Sequence, residues 1–142
     1  MAGIMIPILK KTAYDFSNLT NSNKAIVLIE PYIDTLSWRE ATLVLRFHVA
    51  PVWSAGAKIE ADLLWTDQCP DDPSVFFNYP NQNAIGVVVQ QSDSPAPGAG
   101  YLKTGTATSG LLGTMGVGLT FTQATAANTF QATLSIDLFL KV

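Results

Sequence analysis

Charge is what this chain has least of. Charged side chains are 13% of its 142 residues, about half the share usual in soluble domains. Eight basic and eleven acidic residues leave a net charge of -3. The basic residues are scattered, with Lys10-Lys11 the only adjacent pair. A protein that holds nucleic acid by its phosphates needs a basic patch, so no nucleic-acid partner is expected. Histidine and cysteine are scarcer still: His48 and Cys69 stand alone. One cysteine excludes an internal disulfide framework. One Cys and one distant His are too few ligands for a zinc centre. Long apolar runs are missing as well. None approaches the ~20 residues of a membrane-spanning helix, so no membrane partner is expected. The apolar start, Met1 to Leu9, carries no charge ahead of it and is broken by Pro7, unlike a secretory signal.

What is present is alternation. Hydrophobic residues make up 48% of the chain, and they fall at every second position of several segments. In 41–49, Ala41, Leu43, Leu45, Phe47 and Val49 alternate with Thr42, Val44, Arg46 and His48. Successive side chains of a strand point to opposite faces, so this is a strand with one apolar side. Residues 24–30 are a β-branched run bounded by Pro31, predicted as a strand buried on both faces. Ala57, Ile59, Ala61, Leu63 and Trp65 alternate through a strand that a Gly56 turn joins to 41–49, predicting a hairpin. Ile85, Val87 and Val89 mark another strand, and Val117, Leu119 and Phe121 one more. The last, from Phe130 to Leu140, has the cleanest alternation, and its apolar character places it inside a sheet. Short helical turns are expected around Ala13-Tyr14-Asp15-Phe16 and Ser109-Gly110-Leu111-Leu112.

The fold expected is all-β: an antiparallel β-sandwich or jelly roll of roughly seven to nine strands. Residues 1–23 form an apolar arm and loop, and residues 24–142 the single sandwich domain. The arm must bury its apolar side chains, by adding a strand to its own sheet or by lying on a neighbouring subunit.

Catalytic patterns are sparse. A Ser-His-acid hydrolase has only His48 to serve as base, and that position reads first as a surface strand histidine. Asp67, Asp71 and Asp72 offer oxygens to a hard cation, but the spacing is not that of an EF-hand loop, and Asp before Pro is ordinary turn chemistry. No metal site or cofactor is assigned. Glu60 and Asp62 share a strand face beside Lys58, which reads as a solvated face, not as a glycosidase pair. The glycines at 105, 110, 113, 116 and 118 lack the Gly-Lys-Ser/Thr of a phosphate loop and read as turns and bulges. No enzymatic activity is expected.

Two binding readings stay open. Val44, Leu64 and Phe139 fall on the polar side of otherwise clean strands. With Ile4, Ile6 and Ile8 of the arm they make a candidate interface for an assembly. Alternatively, Trp38 and Trp53, with Tyr79 or Tyr101, offer rings on which a sugar stacks, as in a carbohydrate-binding module.

The apolar arm, the Thr/Ala/Gly-rich strands and the terminal strand Thr133-Leu134-Ser135-Ile136-Asp137-Leu138-Phe139-Leu140 together resemble sandwich-fold structural proteins of tailed-phage virions, of the capsid-decoration, head-fibre or tail-associated type. The resemblance covers the whole chain in style. It implies a non-enzymatic structural subunit located in the virion and assembled in the host cytoplasm. Its partners would be copies of itself, or a major capsid or tail protein.

Overall fold

The computed structural model describes residues 2–16, 24–66, 83–93, 101–108, 111, 114–123 and 129–142. Among these residues eight strands are formed: β1 (Gly3–Asp15), β2 (Lys24–Asp34), β3 (Glu40–Phe47), β4 (Lys58–Thr66), β5 (Asn83–Gln90), β6 (Tyr101–Ala107), β7 (Thr114–Thr122) and β8 (Gln131–Lys141). They build two four-stranded sheets, in the orders β1-β8-β3-β6 and β2-β7-β4-β5. Every pairing is antiparallel. The all-β sandwich is therefore the fold of this chain.

The alternation sets the packing. Ala41, Leu43, Leu45 and Phe47 of β3 are buried, and so are Leu134, Ile136, Leu138 and Leu140 of β8 beside them. Ile59, Ala61 and Leu63 of β4, Ile85, Val87 and Val89 of β5, and Val117, Leu119 and Phe121 of β7 form the facing layer. Each fully buried Leu, Ile or Phe contributes about 1.5–3 kcal/mol of transfer free energy. β8, as expected, lies inside its sheet, between β1 and β3.

Several expectations are corrected. The 41–49 and 57–65 strands are not a hairpin: β3 and β4 lie in opposite sheets. Alternation shows which side of a strand is buried, and both strands bury theirs in one core from opposite sides. The connection bends at His48-Val49, which leaves Val49 exposed despite its apolar parity. Val52 then exchanges backbone hydrogen bonds with Gln131 (2.9 and 2.8 Å), and the chain crosses over. Pro31 does not end β2, which runs on to Asp34 with register shifts on both sides of Glu30. β2 is an edge strand, where a residue without an N–H is tolerated. Ala13 to Asp15 belong to β1, not to a helical turn, and the Phe16 N–H donates to the Phe130 carbonyl (2.8 Å). Of the second helical candidate, only Leu111 lies among the described residues. Of the two places open to the apolar start, the structure takes the first: β1 pairs with β8 from Gly3↔Lys141 to Asp15↔Gln131.

One end of the core is aromatic. Phe121 of β7 lies 5.1 Å from Tyr14 and 4.5 Å from Phe16, centroid to centroid, and meets Phe130 edge-on at 5.8 Å. Trp53 continues the chain of rings, 6.1 Å from Phe130 and 6.2 Å from Phe47. The rings join the end of β1 to the opposite sheet. Burial raises the Tyr14 phenol above its ordinary pKa.

Beyond the ends of β5 and β6, Asp93 follows in a 3-10 turn, Gln91–Asp93. Its carboxylate accepts a 2.7 Å hydrogen bond from the Gln90 N–H and lies 3.5 Å from Lys103 Nζ. These contacts, the backbone N–H foremost, hold its pKa below the usual carboxylate value. A depressed folded pKa gives stability that is present above the unfolded pKa and lost as pH falls through the folded one. Urea melts of Asp93→Asn and the parent, compared from about pH 6 downward, should draw together as the pH falls through the carboxylate range. A gap that does not narrow on acidification would show that the carboxylate charge is not what Asp93 contributes.

Candidate functional site

The outer face of the first sheet can be laid out from its registers. Met5, Phe139, Thr42 and Thr106 form one row across β1, β8, β3 and β6. Pro7, Asp137, Val44 and Thr104 form the next. Ser135, Arg46 and Leu102 follow, and then Ala13, Thr133 and His48. Apolar residues cross this grid obliquely, from Met5 and Phe139 through Val44 to Leu102. Met5, Phe139 and Leu102 are exposed, Phe139 at 39%. An apolar cross-strand pair such as Met5–Phe139 stabilises a sheet by a few tenths of a kcal/mol, up to about 1. That small gain does not account for leaving both in water.

Around the stripe the polar groups pair across strands. Thr42 Oγ1 and Thr106 Oγ1 lie 3.0 Å apart, Lys141 Nζ donates to Glu40 (3.1 Å), and Gln131 Nε2 donates to Asp15 (3.2 Å). Arg46 and Asp137 differ: neither has an ion-pair partner among the described residues. At the far end of the same face lies a cleft of about 280 Å³, floored by Ala13, Ala132 and Thr133. Asp15 and Gln131 form one wall, and Val49 and Val52 the other. On its floor Ala13 presents only a methyl group to this face. The second wall rises because the chain bulges out between its hydrogen bonds at His48 and Val52.

The six residues singled out as an interface are distributed as follows. Phe139 and Ile4 are exposed, Ile6 is half-buried, and Ile8 is buried. Val44 and Leu64 stand at outward positions, yet their neighbours leave only 8% and 7% of them accessible. Leu64 lies on the other sheet, with Gly116 and Asn83 beside it, so the six do not form one patch. Trp38 and Trp53 are half-buried and pack against the core. Tyr79 and the Asp67–Asp72 loop lie outside the described residues, as does the side chain of Tyr101. Met5, Leu102, Val49 and Val52 were not singled out. Strand parity applied to the arm would have exposed Met5, but only the fold brings Val49 and Val52 to the same face.

His48 Nε2 and Ser135 Oγ lie 2.8 Å apart, the separation of a nucleophile and its base. Ser135 is registered beside Arg46 of β3, and opposite it the pairing with β1 is irregular between Leu9 and Thr12. The pair ties β8 to the residue that follows β3. Ser135→Ala should cost no more than about 1.5 kcal/mol in a urea melt.

No protein-family model matches the chain, and no curated protein matches it in sequence. Solved structures do match it. The fold is similar to VP2 in a subviral particle of infectious bursal disease virus, with a TM-score of 0.61 and 11% identity over 98% of this chain and 32% of that one. It is likewise similar to the structure of the Gx strain of the same virus, with a TM-score of 0.59 and 10% identity over 98% and 31%. The chain thus spans about a third of the length of the viral chains it matches. TmCBM61, seen in complex with beta-1,4-galactotriose, matches with a TM-score of 0.50 and 9% identity over 98% of this chain and 88% of that one. At such identities the likeness is one of fold: a sandwich shared by a viral particle protein and a carbohydrate-binding module.

Proposed function

We propose that this chain is a non-enzymatic structural subunit of a virion or virus-like particle, of the decoration, cement or minor structural type. It acts by self-association and by lattice contacts with a major capsid or tail protein, in a virion assembled in the host cytoplasm. The observation that carries this reading is the outer face of the first sheet. It holds exposed Met5, Phe139 and Leu102 on a protein with charge at only 13% of its residues. Exposed apolar side chains grouped on one face mark contact surfaces, and few charges keep such a protein dispersed. The fold likeness to VP2 of a subviral particle supports the same reading. Trp38 and Trp53, the rings of the carbohydrate-binding alternative, are partly buried against the core.

The test is mass in solution. Sedimentation equilibrium of the full chain at rising micromolar concentration should show a weight-average mass climbing above the 15.2 kDa of one copy. A constant single-copy mass up to several hundred micromolar would overturn self-association.

A further inference from the structure

We infer that the outer face of the first sheet binds a second copy of itself, around a two-fold axis that crosses the strands at Ile136. This rests on the assembly reading above and names its partner. The inference comes from how features are spaced along β8. A half-turn about an axis in the plane of the face, across the strands at Ile136, exchanges 137 with 135, 139 with 133 and 141 with 131. Leu45 is registered beside Ile136, so on β3 it exchanges 44 with 46 and 42 with 48. Phe139 of each copy then comes over Thr133 of the other. Thr133 is on the floor of the cleft, between the Asp15–Gln131 wall and the Val49–Val52 wall. The projecting ring and the recess lie on one strand, roughly 20 Å apart, so one rotation fills both recesses.

The charges obey the same operation. Arg46 of one copy falls over the row that holds Val44 and Asp137 of the other. Both are face charges without an ion-pair partner among the described residues, and the rotation joins them twice. Lys141 of one copy comes to the Gln131–Asp15 pair of the other. An isologous contact has to be self-complementary in this way. The sheets pack face to face with strands nearly aligned, as in a sandwich. Four strands at ~4.8 Å spacing and the length of β8 give a footprint of roughly 600–700 Å² per copy. That is slightly below the ~800 Å² of a standard interface, consistent with a micromolar dimer.

The experiment is sedimentation equilibrium on the full chain, with far-UV circular dichroism and a thermal melt of each variant to confirm folding. Phe139→Asp should abolish dimerisation, because it places a carboxylate in the partner's recess beside Asp15. Arg46→Asp alone and Asp137→Arg alone should each weaken the dimer by about tenfold or more, through like charges set face to face. The double variant Arg46→Asp/Asp137→Arg should restore it to within about threefold of the parent. All three positions point outward, so these variants keep the fold. If the parent dimerises and none of the variants changes its mass, another surface carries self-association and this face is overturned. Single reversals that weaken the dimer with no recovery in the double variant overturn the two-fold at Ile136. A parent that stays monomeric overturns both this inference and the self-association it rests on.

Discussion

Valine in place of Gly105 lowers the stability of this protein by about 2–3 kcal/mol, near the upper end for overpacked cores. For a domain of this size that is a fall in melting temperature of roughly 5–10 °C. The cause is where the two sheets close on each other. β6 edges the first sheet and β5 the second, and Gly105 faces inward between them. A Cβ at 105 would lie 2.6 Å from Cγ2 of Ile85 and 2.9 Å from Cγ2 of Val87. Both neighbours are β-branched and have one strongly preferred χ1, so neither methyl swings aside cheaply. Gly105→Ala should show the same effect in smaller measure, and Ile85→Ala should relieve it. The double variant Gly105→Ala/Ile85→Ala should be more stable than the sum of the single effects allows. Thermal and urea melts of the three variants check this. Strict additivity would mean that the close approach is not the cause.

Phe121→Ala should be costlier, by about 3–5 kcal/mol, as for other large core aromatics. Phe121 is fully buried, and its ring meets Tyr14, Phe16 and Phe130. Removing it leaves a cavity, and it also removes the surface that holds the end of β1 against the opposite sheet. Two local readouts separate this from general weakening. Amide exchange should rise first at Thr12 to Asp15, and the Tyr14 phenol should titrate closer to its ordinary value as it gains water. Phe121→Leu, which keeps most of the apolar volume, should cost less than half as much. Loss of stability with uniform exchange along β1 would count against the ring cluster as its anchor.

The sequence shows faces better than it shows neighbours. Alternation located the buried side of β3, β4, β5, β7 and β8, because each sets Val, Ile, Leu or Phe against polar residues. It passed over β6, whose inward positions include Lys103, Gly105 and Ala107; there the opposite sheet comes too close for large side chains. Alternation is also silent on which sheet a strand joins, and so 41–49 and 57–65 read as a hairpin. The candidate interface was legible in part. Phe139 broke the pattern of its strand and is exposed. Val44 broke it too and is covered by the strands on either side, a matter of register that parity does not carry. The cleft was not legible at all, since its walls come from residues 13–15, 49–52 and 131–133.

The sheet margins limit how copies of this chain add to one another. β1 carries Pro7 and two breaks in register, β2 carries Pro31 and two more, and β5 and β6 lean together over Gly105. None of these offers the long regular row of free N–H and C=O groups on which a foreign strand propagates. Growth by strand addition, the route to fibres, is closed at the margins. The two-fold contact proposed above uses a broad surface instead, and such a contact is satisfied once and then stops.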